Sequence, residues 1–82
     1  MSKLNIVGIL VSAFPEYLDA IHPQLEALGA QVHLRDEQGK LVVTLEEEND
    51  RTLADTLVQI QDIEGVINAA MVYHGIDDTE LA

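Results

Sequence analysis

Apolar residues between Leu4 and Ala13 fall into two alternating sets. Val7, Ile9, Val11 and Ala13 form one, and Ile6, Gly8, Leu10 and Ser12 form the other. A period of two over such a length predicts a strand, and apolar character on both sides asks for cover on both. Phe14-Pro15 then opens a helical stretch, because proline suits the first turn. Leu18, Ile21, Leu25 and Leu28 follow at helical spacing and make one stripe. Pro23 sits inside that stripe and removes a backbone donor, so a bend or a late helix start is expected there. Gly29 ends the helix.

From Ala30 to Asp36 the period returns to two, with Val32 and Leu34 on one side and Gln31, His33 and Arg35 on the other. Glu37-Gln38-Gly39 predicts a tight turn, and Lys40 to Glu47 a third strand. Leu41, Val43 and Leu45 alternate in that strand with Lys40, Val42, Thr44 and Glu46. Asn49 or Asp50 caps a second helix, whose stripe is Leu53, Leu57 and Ile60, flanked by Ala54 and Val58. Gly65 closes it, and Val66 to Tyr73 predicts a last strand with Ile67, Ala69 and Met71 alternating inward. Tyr73 then alternates toward the same side. Residues 76–82 follow as a short acidic tail, expected to be mobile.

The order is β-α-β-β-α-β in two similar halves. Right-handed crossovers turn it into an α+β, ferredoxin-like fold: a four-stranded antiparallel sheet in the order 4-1-3-2 with two helices on one face. One domain spans residues 1–75. Two helices cover only one face of such a sheet, and the opposite face should then be polar. Here it carries Ile6, Gly8, Leu10, Val42, Thr44, Asn68, Ala70 and Val72, with Ser12 among them. A contiguous apolar trough of small residues marks either a binding surface or a face buried against a second copy. The antiparallel order also gathers Glu46, Glu47, Glu48, His74, Asp77, Asp78 and Glu80 at one end, where Lys3 also falls, with Arg35 and Lys40 at the other. A ligand that is part apolar helix and part cation suits that arrangement.

Charge narrows the partners further. Fifteen acidic residues against four basic ones give a net charge of −11. Such a surface serves solubility, attracts cations and repels phosphate backbones and anionic lipids, so neither nucleic acid nor membrane is expected as a partner. The chain has no cysteine, which removes disulfides, thiolate ligands and a cysteine nucleophile. His22, His33 and His74 share no metal-ligand spacing. Ser2 and Ser12 have no local base, and Gly8 opens no phosphate-binding loop. Phe14, Tyr17 and Tyr73 are too scattered for base stacking. Neither catalysis, a metal nor a cofactor is expected. No apolar run reaches the length of a membrane span, and no export signal is recognised, which predicts a cytoplasmic protein.

Three stretches carry a resemblance. Gly39-Lys40-Leu41-Val42-Val43-Thr44-Leu45-Glu46, then Ile63-Glu64-Gly65-Val66, then Ala70-Met71-Val72-Tyr73-His74 together resemble the NapD family. The likeness runs through nearly the whole chain, including Ala30-Gln31-Val32-His33, and its most specific element is Val72-Tyr73-His74. The resemblance implies a small cytoplasmic chaperone of periplasmic nitrate reductase. It would bind the twin-arginine signal peptide of the catalytic subunit NapA, as a helix lying on the sheet. Export would then wait for molybdenum cofactor insertion and folding. The trough residues would meet the apolar part of the peptide, and Glu46, Asp77 and Asp78 its arginines. A monomer is expected, with a dimer through the open face as the competing state. The alternative from another class is a ferredoxin-like regulatory domain that binds a small molecule at a dimer interface. Asp62-Ile63-Glu64-Gly65-Val66 is a turn that such domains also use.

Overall fold

The structure is a computed structural model and describes residues 3–47 and 50–78. Its elements run β1 (Lys3–Ala13), a 3-10 turn (Pro15–Tyr17), α1 (Leu18–Ala27), β2 (Gln31–Asp36), β3 (Lys40–Glu47), α2 (Asp50–Gln61) and β4 (Val66–Asp78). The antiparallel sheet has the order β2-β3-β1-β4, which is the expected 4-1-3-2 read from the other edge. The α-helix begins at Leu18 after the 3-10 turn and continues through Pro23, so the helix does not start at that proline as the late-start expectation had it. The helix α2 opens at Asp50, while Asn49, the other expected cap, lies outside the described residues.

Both helices close over one face of the sheet, and the core lies between the layers. Leu18, Ile21 and Leu25 from α1 and Leu53 and Ile60 from α2 are buried. They meet Val7, Ile9, Val11, Leu41, Val43, Leu45 and Ala69 from the sheet. Burial of that apolar surface is the main stabilising contribution in a domain of this size. Leu57, in the expected stripe of α2, packs against this core only half-buried, and Val58 is exposed. Thr56 is buried instead, and its hydroxyl donates to the Thr52 carbonyl at 2.9 Å, so no polar group is stranded.

Two glycine carbonyls tie down the end of β1. The amide of Ala13 donates to Gly39 at 2.7 Å and that of Phe14 to Gly65 at 2.9 Å. Gly65 has a φ of 96°, and a Cβ there would run into the ring of Tyr17. The residue must therefore lack a side chain for two separate reasons. At the other end of the turn, the Gln61 side-chain amide donates to the Ala69 carbonyl at 3.0 Å, which anchors α2 to β4.

Strand alternation fails at three places, and each failure is an irregularity of register. Between Val32 and Leu34 the pairing of β2 with β3 slips by one residue, so Leu34 lies opposite Val42. An extra residue of this kind exchanges the faces of everything beyond it. Leu34, expected in the core, is 62% exposed on the open side. Arg35, expected on the open side, lies opposite Leu41 and reaches α1, donating to Asp19 at 2.6 Å and to Glu37 at 2.9 Å. Those hydrogen bonds, Asp19 first and then Glu37, raise its pKa above the ordinary value.

The strand β4 slips twice against β1, leaving Ile67 and Val72 as the extra residues. Ile67 and Met71, both expected to be covered, are substantially exposed. Met71 does face the helices, opposite Ile9, but it sits at the sheet edge. There it closes one side of an apolar cavity of about 160 Å³ with Val7, Leu53 and Leu57. The strand also runs five residues beyond Tyr73, so Gly75 to Asp78 pair with β1 and do not begin a tail. Residues 79–82 lie outside the described residues.

Candidate functional site

The open face can be read as rows that cross the sheet at its central strand, β1. Ile6 stands between Glu46 and Gly75, Gly8 between Thr44 and Tyr73, Leu10 between Val42 and Ala70, and Ser12 between Lys40 and Asn68. The strand β2 extends two of these rows, with Gln31 beside Thr44 and Leu34 beside Val42. Residues directly opposite across antiparallel strands share a face, so these side chains form one surface. Seven of the eight expected trough residues lie in the rows. The eighth, Val72, is one of the two unpaired residues of β4, and its Cγ2 would stand 3.8 Å from a Cβ added at Gly8. It therefore also belongs to the open side.

Burial across this surface is graded. Ile6, Leu10, Val42, Thr44 and Ala70 are half-buried, while Gly8 is buried in the floor. Asn68, Val72 and Leu34 stand out to solvent. The result is an apolar centre with raised edges, one on β2 and one on β4.

Tyr73 was expected on the helix side, and the slip at Val72 turns it over. It lies opposite Gly8 and is 60% exposed on the open face. A Cβ at Gly8 would stand 3.2 Å from the Tyr73 Cβ, and a Cβ at Gly75 would stand 2.9 Å from Tyr73 Cζ. The ring thus leans along its own strand over Gly75, in space that only two glycines leave free. Pattern reading from the sequence missed both Tyr73 and Leu34, because an extra residue in a strand leaves no trace in the alternation itself.

Electrostatics grade the face from end to end. Glu46 is exposed in the row of Ile6 and Gly75. Asp77 pairs with Leu4, one alternation further along, and takes the register position of the open face. Asp78 pairs with Lys3 and falls on the alternate position. Glu48 and Glu80 lie outside the described residues. At the opposite end the Lys40 ammonium donates to the Ser12 hydroxyl at 3.0 Å. Near the acidic end a polar cavity of about 230 Å³ is lined by Gly29, Gln31, Thr44 and Glu46. Thr44 also shares a 2.7 Å hydrogen bond with the His33 ring.

A larger hollow of about 430 Å³ opens on the helix side, between Gln24 of α1 with the following Leu28 and Gln59 of α2 with the following Ile63. It is open and mixed in character, and it does not join the apolar rows. The open face is the better candidate site because its apolar exposure is contiguous. Among the described residues, no three histidine or acidic side chains cluster to hold a metal, and no helix is long and apolar enough to cross a membrane.

Comparison with known proteins agrees with this architecture. The sequence profile of a family described as NapD protein matches residues 4–78. The chaperone NapD of Haemophilus influenzae is 34% identical over 76 residues, which span 90% of this chain and 82% of that protein. The chaperone NapD of Escherichia coli K12 is 34% identical over 72 residues, spanning 85% and 83%. Among solved structures, the solution structure of the E. coli Tat proofreading chaperone protein NapD matches with a TM-score of 0.80 at 30% identity. That match covers 94% of this chain and 82% of the other.

Proposed function

The chain belongs to the NapD family of chaperones, and from that premise we propose that its open sheet face binds the twin-arginine signal peptide of the NapA precursor. NapA is the catalytic subunit of periplasmic nitrate reductase. The chaperone acts in the cytoplasm, as a monomer, and by occlusion. While the peptide is held, the export machinery cannot read it, and the precursor stays inside until its molybdenum cofactor is inserted and folding is complete. The observation that carries this reading is the uncovered apolar surface of Ile6, Leu10, Val42 and Ala70, which ends at Glu46. A helical signal peptide has the complementary composition, with paired cations preceding an apolar run. The E. coli relative, a Tat proofreading chaperone, supports the same assignment.

Calorimetric titration with a synthetic signal peptide tests the proposal, beside a version with both arginines replaced by glutamine. The expected outcome is one-to-one binding that weakens by about tenfold or more in the variant, since exposed charge pairs each contribute roughly 0.2–1 kcal/mol and partly desolvated ones more. Equal affinity for the two peptides would leave an apolar groove without arginine specificity. No binding, together with a dimer in light scattering, would favour a small-molecule site at a dimer interface instead.

A further inference from the structure

The row Thr44–Gly8–Tyr73 has an uneven profile that the signal-peptide reading alone does not explain. Its centre is a bare glycine on β1, its β4 flank an aromatic ring, and its β3 flank a polar cavity. The two flanks stand roughly 10 Å apart, twice the spacing of neighbouring strands. Adjacent residues on a helix diverge by about 100°, so two neighbouring long side chains on a helix of about 10–12 Å diameter can straddle the strand beneath it, one to each side.

We propose that this row is a two-sided seat for a pair of adjacent arginines, one guanidinium resting against the Tyr73 ring and the other entering the cavity of Gln31, Thr44 and Glu46. The inference rests on the signal-peptide reading and adds to it the place of each cation. On the β4 flank the ring lies over Gly75 and presents its free side to solvent, as a cation–π contact requires. On the β3 flank the Glu46 carboxylate and the Gln31 amide oxygen offer acceptors to a planar donor fork, beside the Thr44 hydroxyl that is shared with the His33 ring. Gly8, buried between them, lets the helix backbone approach closely. Of the four Lys and Arg residues, Lys3 pairs with Asp78 toward the acidic end, and the other three lie away from this row. Lys40 is held at the far end by Ser12, Arg35 is engaged by Asp19 on the helix side, and Arg51 belongs to α2. One flank would suffice for one cation, and two unlike flanks explain a requirement for two.

A calorimetric cycle separates the two seats. The protein is used as wild type, Tyr73→Leu, Tyr73→Phe and Glu46→Gln, all at exposed positions, with circular dichroism to verify folding. The peptides carry Arg-Arg, citrulline-Arg or Arg-citrulline ahead of the same apolar run, citrulline being the uncharged isostere. Tyr73→Leu is expected to weaken the Arg-Arg peptide by about fivefold, in the range of a cation–π contact, and Tyr73→Phe by less than about twofold. The Leu variant should be indifferent to citrulline at one peptide position, and Glu46→Gln indifferent at the other. If Tyr73→Leu weakens all three peptides by one factor, the ring is only apolar surface and the seat is overturned, while signal-peptide binding stands. Coupling of both variants to the same arginine overturns the two-sided arrangement equally. Failure of wild type to bind any of the three removes the parent reading and the seat with it.

Discussion

Gly65 shows how one residue can be required twice. Its φ of 96° excludes most side chains, and its missing Cβ leaves room for the Tyr17 ring. Gly29 offers an internal comparison, with a φ of 92° and nothing within 4 Å of an added Cβ. Gly29→Ala should therefore cost only the backbone strain, about 1 kcal/mol, whereas Gly65→Ala should cost about 2–4 kcal/mol in urea denaturation. Equal costs would mean that Tyr17 moves aside freely. Gly8 and Gly75 play a different part, because they leave space for Tyr73 on the open face. The chain displays these glycines plainly, yet only the fold says which side chain occupies the room beside each.

Among the elements, β3 keeps unbroken alternation and β4 does not. Leu41, Val43 and Leu45 are almost wholly buried, while Val42 and Thr44 between them are half-buried on the opposite face. A pair of neighbouring substitutions should thus behave oppositely. Val43→Asp places a charge in the core and should unfold the domain, at a cost on the order of 4 kcal/mol or more. Val42→Asp should stay folded with a small fall in Tm and lose peptide binding by more than about tenfold, because the apolar trough then carries a desolvated charge. Loss of fold in both variants would show that the open face contributes to the core. In β4 the extra residues Ile67 and Val72 break the edge strand's pairing, a feature that also discourages edge-to-edge association.

For the molecule as a whole, charge and shape act together. A net charge of −11 accelerates encounter with a cationic peptide and repels a second copy. Between low salt and about 0.5 M salt, the association rate with the signal peptide should fall roughly tenfold as the screening length shrinks, with dissociation changing less. Stopped-flow fluorescence on a labelled peptide would measure both. An association rate independent of salt would show that the apolar rows alone govern capture.

The order of the elements, the helical stripes, the turn glycines and the alternation in β1 and β3 could all be read from the chain. Those features follow from local periods and from side-chain sterics, which are properties of neighbours in sequence. Most of the open face was legible for the same reason, including Ile6, Gly8, Leu10, Val42, Thr44 and Ala70. The places of Leu34, Arg35 and Tyr73 were decided elsewhere. Register between strands is a contact between distant segments, and a single extra residue at His33 or Val72 exchanges the two faces beyond it without altering the composition of the strand. Tertiary pairing alone therefore turned Arg35 toward Asp19 and laid the Tyr73 ring over its glycines on the open face.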